Sequence, residues 1–228
     1  MNQLCLFYND ITPIIPLIFD RIFKLISDAS TYIMKELDAV VQVIYRKCNI
    51  IYSKPIITKK DEGDVGEIFC KYGVKQVFFD KGYYAIRGSN KTFTIEEQIN
   101  ANRTSRTGGI DFYSKFKINS KEYKLYIEMK NQKYYPKGIT PSSYNDDILD
   151  RFTKNDPNRN RYWILAINYR NIKSIQSRCL SDNINVVPID DKIIPSNINP
   201  KTLKPIFSSF VYYFSILVDD IISGKVKP

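Results

Sequence analysis

The 228-residue chain contains no histidine. That absence excludes histidine-ligated metal nucleases, hydrolases that activate Ser or Cys through an imidazole, and phosphohistidine chemistry. Any catalysis must draw on carboxylates, lysine, tyrosine, or a metal ion held by oxygen ligands. Cysteine is also scarce. Cys5, Cys48, Cys70 and Cys179 lie far apart with no CxxC pair, so neither a zinc ribbon nor an iron–sulfur site is expected. Acidic residues are outnumbered, 24 against 34 basic ones, which leaves a formal charge of +10. This favours a polyanionic partner, nucleic acid ahead of an anionic membrane surface. An AT-rich genome, which favours Lys, Asn, Ile and Tyr codons, is the alternative source of the same bias. No hydrophobic run is long enough for a bilayer, because the longest uncharged stretch, 205–218, falls short of the ~20 residues needed. With neither a basic leader nor a small-residue cleavage site at the N-terminus, the expectation is an intracellular, cytoplasmic chain with reduced thiols and no membrane association.

What the chain does contain is a hairpin pattern. With Asn119-Ser120 as a two-residue turn, Asp111 falls opposite Glu128, Tyr113 opposite Tyr126 and Lys117 opposite Glu122. Successive strand side chains alternate faces. One face then carries Ile110, Phe112, Phe116, Ile118, Leu125, Ile127 and Met129, interrupted by Ser114, Tyr123 and Lys121. The other carries Asp111, Tyr113, Lys115, Lys117, Glu122, Lys124, Tyr126, Glu128 and Lys130. A slip of one residue would mix the two sets. Opposed carboxylates repel across a ladder, so the Asp111/Glu128 pairing calls for a cause. A divalent cation between them, with Lys130 two residues along the same face, supplies one and can cleave a phosphodiester. The competing reading makes Glu128 and Lys130 a solvated strand face and Asp111 a turn cap.

At this length the chain can bury a substantial core, and one domain with extensions is expected. Residues 12–48 read as helical, with Thr12 as cap, Pro13 in the first turn, and Ile15, Ile18, Ile22, Leu25 and Ala29 at helical spacing. This segment is either a clamping or dimerisation arm or a layer packed on the core. Residues 61–72 read as a short helix, acidic in its first turn and stopped by Gly73. Residues 74–80 and 83–87 read as strands, and 92–101 as a helix or an irregular insertion. A basic loop, 102–109, leads into Asp111. After the hairpin come a helix over 142–153, a strand over 162–168 of the kind buried on both faces, a helix over 171–180, a strand over 185–189, and a closing helix over 205–223 with Gly224 as its stop. Between 61 and 190 the coarse order is helix, three strands, helix, strand, helix, strand, a mixed α/β layer fold.

Asp111 at the start of one strand and Glu128-Met129-Lys130 on the next resemble the motif of the PD-(D/E)XK nuclease superfamily, the restriction-endonuclease-like fold. The resemblance covers residues 59–190, flanked by helical extensions over 1–58 and 191–228. The proline that usually precedes the Asp is replaced by Gly109-Ile110. The resemblance implies a mixed β-sheet flanked by helices, and a metal-dependent endonuclease acting on DNA with Mg²⁺, or Mn²⁺ in its place. It implies metal binding by Asp111, Glu128 and the backbone carbonyl of Met129. A further Glu comes from the helix before the hairpin, Glu67 after Gly66 as first match and Glu62 after Gly63 as second. Lys130 would orient the attacking water or stabilise charge on the phosphate, and Gln132 resembles the additional motif glutamine of some branches. Within the superfamily the compact core is similar to archaeal and viral Holliday-junction resolvases (host cytoplasm for a viral chain), which implies a homodimer. Arg103, Arg106, Arg151, Lys154, Arg159 and Arg161 are candidate phosphate contacts, and Tyr134-Tyr135 a candidate stacking pair. The alternative is a catalytically silent nucleic-acid-binding protein that keeps the fold.

Overall fold

The computed structural model describes residues 58–83, 90–97, 109–131, 135–189 and 208–228, all within the compact unit Ile44–Pro228. The expected helix over 12–48 and the expected strand over 83–87, apart from Tyr83, lie outside them, as do Arg103, Arg106, Gln132 and Tyr134.

Helix α1 (Lys59–Asp80) opens on a capping box. The Thr58 hydroxyl accepts from the Asp61 N–H at 3.3 Å, and the Asp61 carboxylate accepts from the Thr58 N–H at 2.9 Å. The helix does not stop at Gly73, and residues 74–80, expected as a strand, are its last two turns. Cys70, Val74, Val77 and Phe78 recur at helical spacing and are all buried. That burial outweighs the ~1 kcal/mol cost of a glycine inside a helix. The stop comes at Gly82, whose φ of 77° closes a Schellman motif: Gly82 N–H donates to the Phe79 carbonyl and Tyr83 N–H to that of Phe78, each at 2.9 Å.

Strand β1 (Lys91–Glu97) replaces the helix or insertion expected there. Its Phe93 ring stacks on Phe78 at 5.1 Å, and the strand pairs antiparallel with β2 (Phe112–Ile118). The β2–β3 hairpin has the expected register throughout, from Ile118↔Lys121 at the turn to Phe112↔Ile127 at the open end of β3 (Lys121–Lys130). Asn119 and Ser120 both take positive φ, 47° and 68°, as a primed two-residue turn requires. The polar interruptions of the core face are absorbed, since the Ser114 hydroxyl donates to the Thr94 carbonyl and Tyr123 stacks on Phe116 at 4.8 Å. Ile110 departs from the expectation. The chain bends at Asp111, and Ile110 packs on the opposite side of the sheet with Tyr144, Phe152 and Trp163.

Beyond the hairpin, α2 (Pro141–Tyr144), a π-helical turn (Asn145–Leu149) and α3 (Asp150–Asn155) run as one helical segment. The wide turn keeps Tyr144, Ile148 and Phe152, four residues apart, on one buried face. Strand β4 (Tyr162–Asn168) pairs in parallel with β3 and with β5 (Ile184–Ile189), and α4 (Tyr169–Ser181) connects them. The sheet is thus mixed, in order β1-β2-β3-β4-β5. From Trp163 onward β4 is buried residue by residue, as the apolar run predicted. Helix α5 (Ser208–Ile222) packs on α1, with Phe214 edge-on to Phe78 at 6.0 Å and Lys81 paired to Asp219 at 2.7 Å. From 59 to 189 the observed order is helix, three strands, helix, strand, helix, strand, and its first strand is 91–97 in place of the one expected at 74–80. The architecture is α/β, a five-stranded mixed sheet flanked by helices. No helix among the described residues is long and apolar enough to cross a membrane.

Candidate functional site

Three elements meet where the hairpin opens. Strand β3 presents Glu128 and Lys130 on one face, β2 is preceded by Asp111 at the bend, and α1 crosses the end of β3. That crossing requires Gly66, because a Cβ there would lie 2.6 Å from the Asn131 Cβ. The Asn131 side-chain amide donates to the Glu62 carbonyl at 2.6 Å and ties helix to strand end. The turn that follows thereby brings Glu67 close enough for its charge to be felt at Asp111, and Cys70 close enough to feel the charge of Asp111.

Glu128 is 0% exposed and Lys130 9%, so this is no solvated strand face. The Lys130 ammonium donates to Glu128 Oε1 at 2.6 Å. Arg151, from α3, brings Nη1 to 2.8 Å from the same oxygen and 3.9 Å from Asp111 Oδ1. Glu128 Oε2 is buried with no hydrogen-bond partner. The Asp111 carboxylate reaches across to β3 and is no local turn cap. Its Oδ2 accepts the Met129 N–H at 2.7 Å, so Met129 contributes its amide to the site. Burial, then the charges of Glu128 and Glu67, hold the Asp111 carboxyl well above the ordinary carboxylate range, against opposing pulls from Lys130 and the Met129 amide. Burial, followed by the charges of Asp111, Glu67 and Glu128, likewise raises the Cys70 thiol well above its usual value. That makes Cys70 a neutral wall of the site and not a nucleophile.

The other candidates are placed differently. Lys154 is exposed and paired with Asp150 at 2.6 Å. Arg159 lies over the Trp163 ring at 4.7 Å and donates to the Asp182 carbonyl. Arg161 pairs with Asp156 at 3.2 Å and covers the rings of Tyr126 and Tyr113. Tyr135 is exposed. Sequence reasoning put Arg151 among the phosphate contacts and missed its place against both carboxylates. The signal that could have found it is its place three residues after the buried Ile148, on the same side of the helical segment. Cys70 was missed as a neighbour of the site, although it follows Gly66 by one helical turn and so shares that face of α1.

Among the described residues, no three Asp, Glu, Cys or His side chains are drawn together tightly enough to cage an ion by themselves. The donor set nevertheless fits Mg²⁺, which is held by one or two carboxylates and completed by water and substrate phosphate. Two carboxylates that repel each other at the end of a sheet, one of them with an orphaned buried oxygen, are acceptors of the kind such an ion would take. Comparison of the chain with family models, with curated proteins and with solved structures finds no match.

Proposed function

We propose that this chain is a metal-dependent endonuclease of the PD-(D/E)XK type that hydrolyses DNA phosphodiester bonds. The observation that carries the reading is the buried meeting of Asp111, Glu128 and Lys130 at the open end of the hairpin, with one Glu128 oxygen unpartnered. The order of elements around it, with a helix carrying Glu67 before the hairpin and a helix and buried strand after it, supports the same assignment. The charge of +10 suits a polyanionic substrate.

Asp111 and Glu128 would hold the ion, with Glu67 beside them. When bound, Mg²⁺ supplies Lewis acidity toward the phosphodiester. The residues of the chain supply orientation and charge. The Met129 amide fixes the rotamer of Asp111 through Oδ2. Lys130, anchored by Glu128, places an ammonium where negative charge builds on the phosphate as the water oxygen bonds to phosphorus and the ester oxygen departs. Burial under α1 and α3 lowers the local dielectric and strengthens each of these interactions. A homodimer would bring two such sites to two strands, as a junction-resolving or restriction activity needs. The second reading, a silent nucleic-acid-binding protein with this fold, is favoured by the double neutralisation of Glu128 Oε1 by Lys130 and Arg151.

The deciding experiment is cleavage of supercoiled plasmid and of a labelled four-way junction with Mg²⁺, Mn²⁺ or EDTA. Metal-dependent cutting should fall at least ~10³-fold in Asp111→Ala and ~10²- to 10³-fold in Lys130→Ala. DNA binding without cutting under any metal would establish the silent reading instead.

A further inference from the structure

Two cations reach Glu128 Oε1, and they differ in how they do it. Lys130 comes from the same strand, two residues along, and its side chain is 10% exposed. Arg151 comes from α3, bridges toward Asp111 with the same nitrogen, and is 31% exposed. One guanidinium nitrogen therefore serves both carboxylates while part of the group stays within reach of solvent.

We infer that Arg151 is a substrate-phosphate residue that Glu128 holds in reserve, and that it competes with the divalent cation for the same carboxylates. The inference rests on the nuclease reading of the site. Lys130 and Arg151 set two positive charges against Asp111, Glu128 and the nearby Glu67. A divalent ion on those oxygens leaves positive charge in surplus, and repulsion then releases the cation whose removal from the carboxylates costs least desolvation. Exposure selects Arg151 over Lys130. A phosphodiester brings negative charge to the same place, and a planar guanidinium offers paired donors to its two free oxygens. Independently, Glu128 Oε2 is sealed from solvent without a donor, so the two resident cations do not saturate this carboxylate. Arg151 moves between two anions, and the ion decides which one it holds.

The test measures Mn²⁺ binding to the full chain by electron paramagnetic resonance, alongside the anisotropy of a labelled DNA duplex in Ca²⁺ or EDTA. It uses wild type, Arg151→Gln, Arg151→Ala and Arg151→Lys, each checked for folding by thermal unfolding. Competition predicts that Arg151→Gln and Arg151→Ala bind Mn²⁺ about five-fold or more tightly. Both should lose the gain in DNA affinity that Ca²⁺ gives the wild type. Arg151→Lys, which keeps the charge without the planar fork, should hold Mn²⁺ affinity near wild type and recover only part of that gain. If Arg151→Ala does not fold, the Gln and Lys variants carry the comparison. Mn²⁺ affinity unchanged or weakened in folded Arg151→Gln overturns the inference and leaves the nuclease reading standing. Failure of wild type and variants alike to bind Mn²⁺ overturns both.

Discussion

Asp156 and Glu128 are both buried carboxylates on the side of the sheet covered by α3, and they are satisfied in opposite ways. Asp156, 1% exposed, accepts four hydrogen bonds, from the backbone amides of Asn160 and Arg161, the Arg161 guanidinium and the Trp163 indole. Every donor lies within seven residues, so one turn builds and fills the site. Glu128 is sealed just as completely, yet its donors come from two elements and converge on one oxygen while the other has none. The charge of Glu128 is felt by a second carboxylate, Asp111. A saturated buried carboxylate anchors a fold. An unsaturated one near a like charge is the feature on which the proposed metal site rests.

Exchanging the two roles by mutation gives the largest expected effects. Asp156→Ala should cost about 3–5 kcal/mol in urea unfolding, because it strands an arginine, an indole and two amides. Cleavage per folded molecule should change little. Glu128→Gln should do the reverse, abolishing cleavage while lowering Tm by less than Asp156→Ala does. If Glu128→Gln proves the more destabilising of the two, Glu128 is the structural anchor and the contrast collapses. Next in size is Gly66→Ala, which drives a Cβ to 2.6 Å from Asn131 and should cost about 1–3 kcal/mol by pushing α1 off the end of β3. Because Glu67 and Cys70 move with that turn, Gly66→Ala should also weaken Mn²⁺ binding. An undiminished affinity would remove α1 from the site.

The smallest effect concerns pH. The Asp111 carboxyl is held above the ordinary range, so the folded state binds this proton more tightly than the unfolded chain does. Its contribution favours folding at low pH and is lost as pH rises past the ordinary value of ~4 and through the raised one. In EDTA, unfolding curves of wild type across that window should decline relative to Asp111→Asn, which carries no charge to repel Glu128. Parallel curves for the two proteins would mean that Asp111 and Glu128 do not oppose each other.

The hairpin and its register were legible because the signal is local. A two-residue turn and period-two alternation over 112–130 place Glu128 and Lys130 on one face without reference to the rest of the chain. The buried run of β4 and the helices around it were legible for the same reason. The misreadings came where packing decides. Val74, Val77 and Phe78 have strand-like composition, but their spacing lets α1 bury all three, Phe78 against Phe93, Phe116 and Phe214. The alternation rule failed at Ile110 because a bend at Asp111 turns the chain before the strand begins.

What the sequence by itself determined, then, is the register of the hairpin and the strand face that Glu128 and Lys130 share, since covalent geometry and the strand repeat set that spacing. Tertiary structure alone decided that the site is buried, that α1 closes over it through Gly66, and that Arg151 reaches both carboxylates. Each of those depends on contacts between residues distant in the chain, where packed volume and opposed charge, and no local periodicity, select the arrangement.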